Sequence, residues 1–230
     1  RPICHRGLWG DGVAENSATA YENAARKGYP IEIDLYKTTD GALVSFHDNT
    51  LERMTGEKGF IYEKSLAELK SLNLIGTNEK IPTFSEVLEI AKGRSPLLIE
   101  IKNQPDKSVV KSVAETLKGY GGEFAVQSFN PFYINEVKKR APEFIRGILA
   151  TENAIGESPL NKFVIRNMSF NFMIKPDFIS YSWTGLPLNK RKTKDKAILC
   201  WTVKDEETEN KIKPFVDNII YETFVPEKYR

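Results

Sequence analysis

Short apolar runs alternate with longer amphipathic stretches along the whole chain, and this alternation restricts the possible fold most. Eight runs of strand length occur in the 230 residues, with helical patterns between them. The predicted strands are Ile3–His5, Ile31–Tyr36, Leu97–Lys102, Phe124–Ser128, Ile145–Leu149, Phe178–Ser182, Ile198–Val203 and Asn218–Tyr221. Strands that alternate with helices build parallel sheets. We therefore predict an α/β protein with a closed (β/α)8 TIM barrel, and an open doubly wound sheet is the alternative.

Two further features concern the region after the second strand. A ninth short strand, Ala42–Phe46, follows the Asp40-Gly41 turn and is predicted to fold back on the second strand as a hairpin arm. Residues 48–82 are too many for a simple connection, and their pattern predicts one short helix. We interpret residues 1–230 as a single catalytic barrel domain that carries residues 48–82 as a small insertion.

Composition narrows the classes of function. The chain is 40% hydrophobic and 28% charged, and its net charge is +2. This balance argues against a protein that binds nucleic acid by neutralising many phosphates, although a local patch could attract a small anion. Cys4 and Cys200 are too few for a disulfide framework and lack the spacing of zinc ligands. We interpret both as buried thiols.

The sequence shows neither a membrane anchor nor a secretory signal. No apolar run reaches the length that crosses a bilayer, so we expect no transmembrane segment. The opening residues, Arg1–Gly7, lack the charged and apolar regions of a signal peptide. We expect a cytoplasmic protein. A signal removed earlier is the alternative, because the sequence does not begin with Met.

Acidic side chains interrupt two strands that a barrel should bury. In Ile31–Leu35 apolar and acidic residues alternate, so Glu32 and Asp34 share one face of the strand. Glu100 and Lys102 share a face of the third strand in the same way. Buried carboxylates repel one another unless a cation or a set of donors compensates their charge. Three carboxylates would form an oxygen site for a hard cation such as Mg²⁺ or Ca²⁺. The alternative is a buried ionic network with Arg6 or Lys102.

The two histidines of the chain also lie where strands end. His5 ends the first predicted strand, and His47 follows the hairpin arm of the second. Barrel enzymes carry their reactive groups at the carboxyl ends of strands. Two imidazoles at this position can serve as general acid and general base near neutral pH, although packed histidines or metal ligands are alternatives. Arg6 and Lys102 lie beside them and could bind a phosphate.

Several separated motifs together resemble the glycerophosphodiester phosphodiesterase family. In chain order they are His5-Arg6-Gly7, Glu15-Asn16-Ser17, Glu32-Ile33-Asp34-Leu35, Thr39-Asp40-Gly41, His47-Asp48 with Leu51 and Arg53, Glu100-Ile101-Lys102, Gln127-Ser128-Phe129 and Trp201-Thr202-Val203. The resemblance spans nearly the whole chain and is most specific in its first half. One departure is Glu222-Thr223, where the family usually shows a Thr-Asp pair.

The resemblance implies a (β/α)8 barrel with a small insertion and a metal-dependent hydrolysis of glycerophosphodiesters to glycerol 3-phosphate and an alcohol. It implies metal ligands at Glu32, Asp34 and Glu100, acid and base at His5 and His47, phosphate contacts at Arg6 and Lys102, and a substrate contact at Trp201. A buried core position is the equal alternative for Trp201. The expected partner is a small glycerophosphodiester, and the oligomeric state is left unspecified.

Two other functions are compatible with these residues. The nearer one is a phosphodiesterase of the lysophospholipase D or sphingomyelinase D kind, which an apolar rim around Trp9, Phe60 and Trp183 would favour. The more distant one is a barrel that binds a lipid headgroup or sugar phosphate without catalysis. The complete set of acids and histidines argues against a non-catalytic binding protein.

Overall fold

Every strand that the sequence predicts is present within one residue of its predicted bounds. The structure is a computed structural model that describes residues 1–154 and 158–229. The strands of the described chain are β1 (Ile3–Cys4), β2 (Ile31–Lys37), β3 (Leu43–Ser45), β4 (Leu97–Ile101), β5 (Phe124–Ser128), β6 (Arg146–Ala150), β7 (Phe178–Ser182), β8 (Ala197–Val203) and β9 (Asn218–Tyr221). The hairpin arm, β3, pairs antiparallel with β2, as predicted.

Helices follow the strands, and several begin at a residue whose side chain caps the helix. They are α1 (Ala18–Arg26), α2 (Glu52–Thr55), α3 (Leu66–Ser71), α4 (Phe84–Ala91), α5 (Val109–Lys118), α6 (Pro131–Arg140), α7 (Pro159–Asn167), α8 (Asn171–Ile174), α9 (Lys190–Thr193) and α10 (Glu206–Ile212). Ser65 and Thr83 each accept a backbone N–H at a helix start, and a glutamate three residues later completes a capping box.

Strand order decides between the two predicted architectures. β2 pairs in parallel with β1 and with β4, and β5 to β9 pair in parallel with their successive neighbours. A doubly wound sheet reverses its strand order at a switch point, whereas a barrel keeps successive strands adjacent. The chain has the (β/α)8 barrel fold that the sequence predicts.

The chain divides into two compact units, Cys4–Phe124 and Ala125–Arg230 with Arg1–Ile3. In the first unit, the central strands β2 and β4 are buried along their length, apart from the half-buried last residue of β2. The second unit has its own apolar cluster, formed by residues of β6, β7 and α6 together with Ile174 and Met168. Cys4 and Cys200 are both free thiols in buried positions, as predicted.

The segment 48–82 builds an apolar cluster together with β3. Leu51, Ile61 and Leu69 are fully buried in it beside Val44 and Phe46 of the hairpin arm. The sequence predicted one short helix in this segment, but the structure has α2, a 3-10 turn and α3. α2 has only four residues and ends at Gly56 in the left-handed region, so it is too short to show a helical period in the sequence.

No helix within residues 1–154 and 158–229 combines the length and the apolar character that crossing a membrane requires.

Candidate active site

The three acidic residues predicted as metal ligands meet at one point in the first unit. Asp34 of β2 lies directly beside Glu100 of β4 in the parallel register, and Glu32 precedes Asp34 by two residues on the same face. All three side chains are buried. Each offers a carboxylate oxygen, and these oxygens lie within 4.8 Å of one another. The alternation of acidic and apolar residues in β2, together with the register of β4, thus brings three acidic side chains together.

Lys102 is the cation closest to these acids. Its Nζ lies 2.9 Å from Glu100 Oε1 and 3.2 Å from Asp34 Oδ1. Burial opposes the charged form of Lys102, but the charges of Asp34 and Glu100 outweigh burial and raise its pKa above the ordinary value. Lys102 is therefore a permanent ammonium group between two carboxylates.

The positive charge is not shared equally among the three acids. Burial raises the pKa of Asp34 by itself, but the charges of Lys102, His47 and Arg6 together lower it well below its ordinary value. Burial, and then the charges of Asp34 and Glu100, hold the pKa of Glu32 well above the ordinary range. Glu32 is thus the carboxylate with the least compensation, and the cluster favours the arrival of further positive charge.

A tight turn after β1 supplies one hydrogen bond to Glu32. The backbone N–H of Arg6 donates to Glu32 Oε2 at 3.0 Å. Arg6 and Gly7 have φ of 58° and 87°, which lie in the left-handed region. A Cβ at Gly7 would approach Ala20 Cβ to 2.8 Å and the Ala20 backbone to 2.9 Å. Glycine is therefore required at this position, because the turn lies directly on α1.

The side chain of Arg6 faces two further acids. Its Nη1 donates to Glu15 Oε1 at 2.7 Å, and its Nε lies 3.8 Å from Asp34 Oδ2. This Nε is buried and makes no hydrogen bond to any residue that the structure describes. A buried N–H without an acceptor is costly, so the group is suited to receive an acceptor from a bound molecule.

Asn16 holds Asp34 in place, a role that the sequence motifs did not indicate. Its Nδ2 donates to Asp34 Oδ2 at 3.0 Å, and its Oδ1 accepts from the Tyr21 hydroxyl at 2.6 Å. Tyr21 is fully buried and also contacts Ser45 Oγ at 2.5 Å. Asn16 has φ of 53°, a conformation that asparagine tolerates better than most residues. The only sequence feature that marks this residue is its place directly before Ser17, which caps α1.

His47 pairs with the aspartate that follows it. Its Nδ1 lies 2.6 Å from Asp48 Oδ1. Burial raises the pKa of Asp48, but hydrogen bonds from His47 and Arg53 outweigh burial and hold it well below its usual range. Asp48 is thus a carboxylate that can only accept, so the Nδ1 of His47 carries the proton.

Arg53 connects the His47 pair to the Arg6 turn. Its Nη2 donates to Glu15 Oε1 at 2.6 Å and to Asp48 Oδ1 at 3.0 Å. Glu15 accepts from Arg6 through the same oxygen. The chain of contacts runs from His47 through Asp48, Arg53 and Glu15 to Arg6. Sequence reasoning noted Glu15 and Arg53 only as parts of motifs, and nothing in their spacing indicated that they meet.

His5 lies next to the residue that bonds Glu32. It directly follows β1 and precedes Arg6, and its backbone carbonyl accepts from Trp9 Nε1 at 2.9 Å. Phe46, the neighbour of His47, donates its backbone N–H to the Asp34 carbonyl at 3.0 Å. Both histidines therefore follow strand ends next to residues that contact the acids.

Trp201 belongs to the second compact unit, where it lies half-buried in β8 with its ring edge-on to Phe129 at 5.6 Å between ring centroids. Its Nε1 is buried and has no hydrogen-bond partner among the described residues. Its substrate contact stays a prediction.

Glu222, at the departure from the family pattern, forms an ion pair with Lys204 at 2.7 Å.

The donor set fits a hard divalent cation. Two oxygens that bind one Ca²⁺ are at most about 5 Å apart, since each lies about 2.3–2.6 Å from the ion. The carboxylate oxygens of Glu32, Asp34 and Glu100 already lie within 4.8 Å of one another. An all-oxygen set of this kind suits Mg²⁺, Ca²⁺ or Mn²⁺ better than softer metals. The ionic network with Lys102 and the geometry of a cation site are thus both present in the same cluster.

Comparison with known proteins gives consistent results over nearly the whole chain. The sequence model of the Glycerophosphoryl diester phosphodiesterase family matches residues 5–223. A protein from Caldanaerobacter subterraneus subsp. tengcongensis, named Glycerophosphodiester phosphodiesterase, is 32% identical over 235 residues, which cover 95% of this chain and 92% of that protein.

Solved structures share the fold. An Oleispira antarctica phosphodiesterase, described in complex with the product sn-glycerol-3-phosphate, is 24% identical with a TM-score of 0.80 and covers 96% of this chain and 92% of its own. A glycerophosphodiester phosphodiesterase from Parabacteroides distasonis is 25% identical with a TM-score of 0.78, and the coverage is again 96% and 92%.

The contacts of Glu15 predict a pH-dependent contribution to stability. Burial raises the pKa of Glu15, but Arg53 and Arg6 outweigh burial and lower it below its ordinary value of 4.5. Glu15→Gln should therefore lower the free energy of unfolding by roughly 2–3 kcal/mol at neutral pH, because the charged hydrogen bonds are lost. A depressed pKa stabilises the fold above its unfolded value, so the difference from wild type should narrow as the pH falls below 4.5.

Urea denaturation at several pH values measures this effect. Glu143→Gln is the matched control, because Glu143 is exposed and this change should leave stability within about 0.5 kcal/mol of wild type. A Glu15→Gln protein as stable as the control at neutral pH would show that the network carries no net stability.

Proposed function

Because the chain belongs to the glycerophosphoryl diester phosphodiesterase family, we propose that it is a metal-dependent hydrolase that cleaves glycerophosphodiesters to glycerol 3-phosphate and an alcohol. The observation that carries this proposal is the gathering of three buried carboxylates beside two cationic side chains and a histidine–aspartate pair. A relative of 32% identity over 95% of the chain carries the same family name.

We assign Glu32, Asp34 and Glu100 to the divalent cation, with Mg²⁺ and Ca²⁺ as the two candidates. When bound, the ion would act as a Lewis acid on the phosphoryl oxygens and offset the negative charge of the transition state. Asn16 keeps the Asp34 carboxylate oriented through its hydrogen bond at 3.0 Å. Such supporting bonds fix the direction of metal ligands and are costly to remove.

We assign Arg6 and Lys102 to the phosphate of the substrate. The Nε–H of Arg6 is buried and has no acceptor among the described residues, which leaves it available to a phosphoryl oxygen. Lys102 has three N–H donors, and its ion pairs with Asp34 and Glu100 direct it toward the acid cluster. A phosphodiester therefore meets one guanidinium and one ammonium whose charges are fixed by neighbouring carboxylates.

The two histidines move the protons of the reaction. One imidazole removes the proton of the attacking hydroxyl, and the other delivers a proton to the leaving alcohol oxygen as the phosphorus–oxygen bond breaks. The attacking group is the adjacent glycerol hydroxyl of the substrate, which gives a cyclic phosphate that water then opens, or water itself. Asp48 holds the ring of His47 with the proton on Nδ1, and we assign Nε2 to the proton transfer. Asp48 is a positioning residue in this scheme.

Replacing the histidines should reduce turnover strongly. His5→Ala and His47→Ala should each lower kcat by roughly 10²- to 10⁴-fold on glycerophosphocholine, because general acid–base assistance supplies that factor. Asp48→Asn should lower kcat by roughly 10- to 100-fold with little change in KM, because it disturbs the protonation of His47 and not phosphate binding.

Steady-state kinetics on purified variants test this scheme. Circular dichroism verifies folding, and Glu63→Gln in the insertion is a control that should retain full activity. Near-wild-type turnover by both histidine variants would contradict the two-histidine scheme. Faster hydrolysis of lysophosphatidylcholine than of glycerophosphocholine would instead favour the lysophospholipase D reading.

Metal removal should abolish activity. An excess of chelator is expected to stop hydrolysis, and addition of Mg²⁺ or Ca²⁺ should restore it, because Glu32, Asp34 and Glu100 then regain their cation. Glu100→Gln should need a higher metal concentration for half-maximal activity, whereas Glu115→Gln on the exposed face of α5 should not. Full activity in excess chelator would contradict the metal-dependent scheme. It would indicate instead that the three acids serve as an ionic network with Lys102.

A further inference from the structure

Helix α7 in the second compact unit exposes an apolar face. None of its nine residues is buried. Leu160 is 72% exposed and Phe163 is 62% exposed, and their spacing puts them on the same side of the helix. On the other side, Ile165 packs against the apolar cluster of this unit. An amphipathic helix normally turns its apolar stripe toward the core, so an outward-facing leucine and phenylalanine require explanation.

Two neighbouring helices extend this surface. Phe172 of α8 is 78% exposed, and Phe132 of α6 is 60% exposed and contacts the Phe170 ring at 5.3 Å between centroids. Other residues of α6, α7 and α8 line one small apolar hollow, so the three helices are adjacent. We name Phe132, Leu160, Phe163 and Phe172 the apolar patch. Exposed aromatic and aliphatic side chains on three adjacent helices mark an interaction surface.

Basic residues are frequent on α7 and in the segment that follows it in the chain. Residues 158–196 contain eight Lys and Arg against two Asp, although the whole chain has a net charge of only +2. Lys162 and Arg166 are exposed on α7, four residues apart, on the flank of the apolar face. Lys175, Lys190 and Arg191 are also exposed. Within the described chain, none of these five cations forms an ion pair with a carboxylate.

We propose that this surface docks the protein on an anionic lipid bilayer. A helix that lies in a membrane interface places leucine and phenylalanine among the acyl chains and keeps lysine and arginine at the level of the headgroups. α7 has this arrangement, with Leu160 and Phe163 beside Lys162 and Arg166. The negative surface of anionic lipids attracts each basic residue next to the interface. Unpaired cations on the same helix as exposed apolar side chains are therefore complementary to such a bilayer in both charge and polarity.

Two other occupants fit the surface less well. A second copy of the chain would bring two positively charged patches together, and like charges across an interface oppose association. Single-stranded nucleic acid would suit the cations, but it binds through stacking of bases on aromatic rings that a basic groove lines. Leu160, the more exposed of the two apolar residues on α7, cannot stack on a base, whereas acyl chains accept leucine and phenylalanine alike.

Vesicle binding tests the proposal without any turnover. The full chain should cosediment with vesicles of one-third phosphatidylglycerol and two-thirds phosphatidylcholine at about 50 mM salt, and the bound fraction should fall steeply at about 500 mM salt. Vesicles of phosphatidylcholine alone should bind much less. Lys162→Gln with Arg166→Gln should weaken binding about fivefold for each charge removed. Leu160→Ser with Phe163→Ser should weaken it at least about tenfold, because the apolar contact is lost.

Matched controls lie outside the patch. Lys107→Gln with Lys118→Gln removes two exposed charges near α5, and Phe215→Ser removes an exposed ring elsewhere in the second unit. Both should bind vesicles like wild type. All variants should hydrolyse soluble glycerophosphocholine at the wild-type rate, so a failure of the proposed activity would appear separately from a failure of docking.

Three results would overturn the proposal. The first is no binding to phosphatidylglycerol vesicles at low salt. The second is equal loss of binding in patch and control variants. The third is another occupant in a protein that does not bind vesicles: a concentration-dependent dimer in size-exclusion chromatography that Phe163→Ser abolishes, or binding of a single-stranded oligonucleotide.

Discussion

The repulsion among three buried carboxylates is the interaction on which the site depends. Glu32, Asp34 and Glu100 lie within 4.8 Å of one another where water has little access. At such separations and in a medium of low polarity, like charges are costly unless positive groups are present. Lys102 compensates Asp34 and Glu100 directly, while Glu32 receives only a backbone N–H and the more distant charge of Arg6. The three acids thus outnumber the cations that face them, which is the property that a cation site needs.

The same electrostatics organise the groups around the acids. A chain of alternating charges runs from Asp48 through Arg53 and Glu15 to Arg6. Each cation in this chain is held by a carboxylate, so its direction is fixed before a substrate arrives. Preorganised charges of this kind stabilise a transition state without rearranging during the reaction. The network also joins the turn after β1 to the loop after β3, and these two segments carry the two histidines. Stability of the fold and alignment of the site therefore depend on the same contacts.

The fold and the acid cluster were predictable because both follow from short-range periodicity. Alternation in Ile31–Leu35 placed Glu32 and Asp34 on one face, and parallel register placed Asp34 beside Glu100. The supporting residues were not predictable in this way. The contact of Asn16 with Asp34 depends on left-handed backbone conformations at Arg6 and Asn16, which no periodic pattern announces. The contact between Arg53 of α2 and Glu15 joins two residues that are 38 positions apart in the chain. The motifs that contain these residues indicated a family, but they did not indicate which side chains contact one another.

Calorimetric titration of the metal-free protein with Mg²⁺ and with Ca²⁺ tests the central claim most directly. The acid cluster predicts one cation bound per chain. It also predicts that Glu32→Gln weakens binding by more than the roughly 10- to 100-fold effect of a residue that only supports a ligand. This variant should stay folded, because it replaces the least compensated carboxylate with a neutral group of the same shape. Absence of cation binding by the wild type, or equal affinity in wild type and Glu32→Gln, would contradict the account.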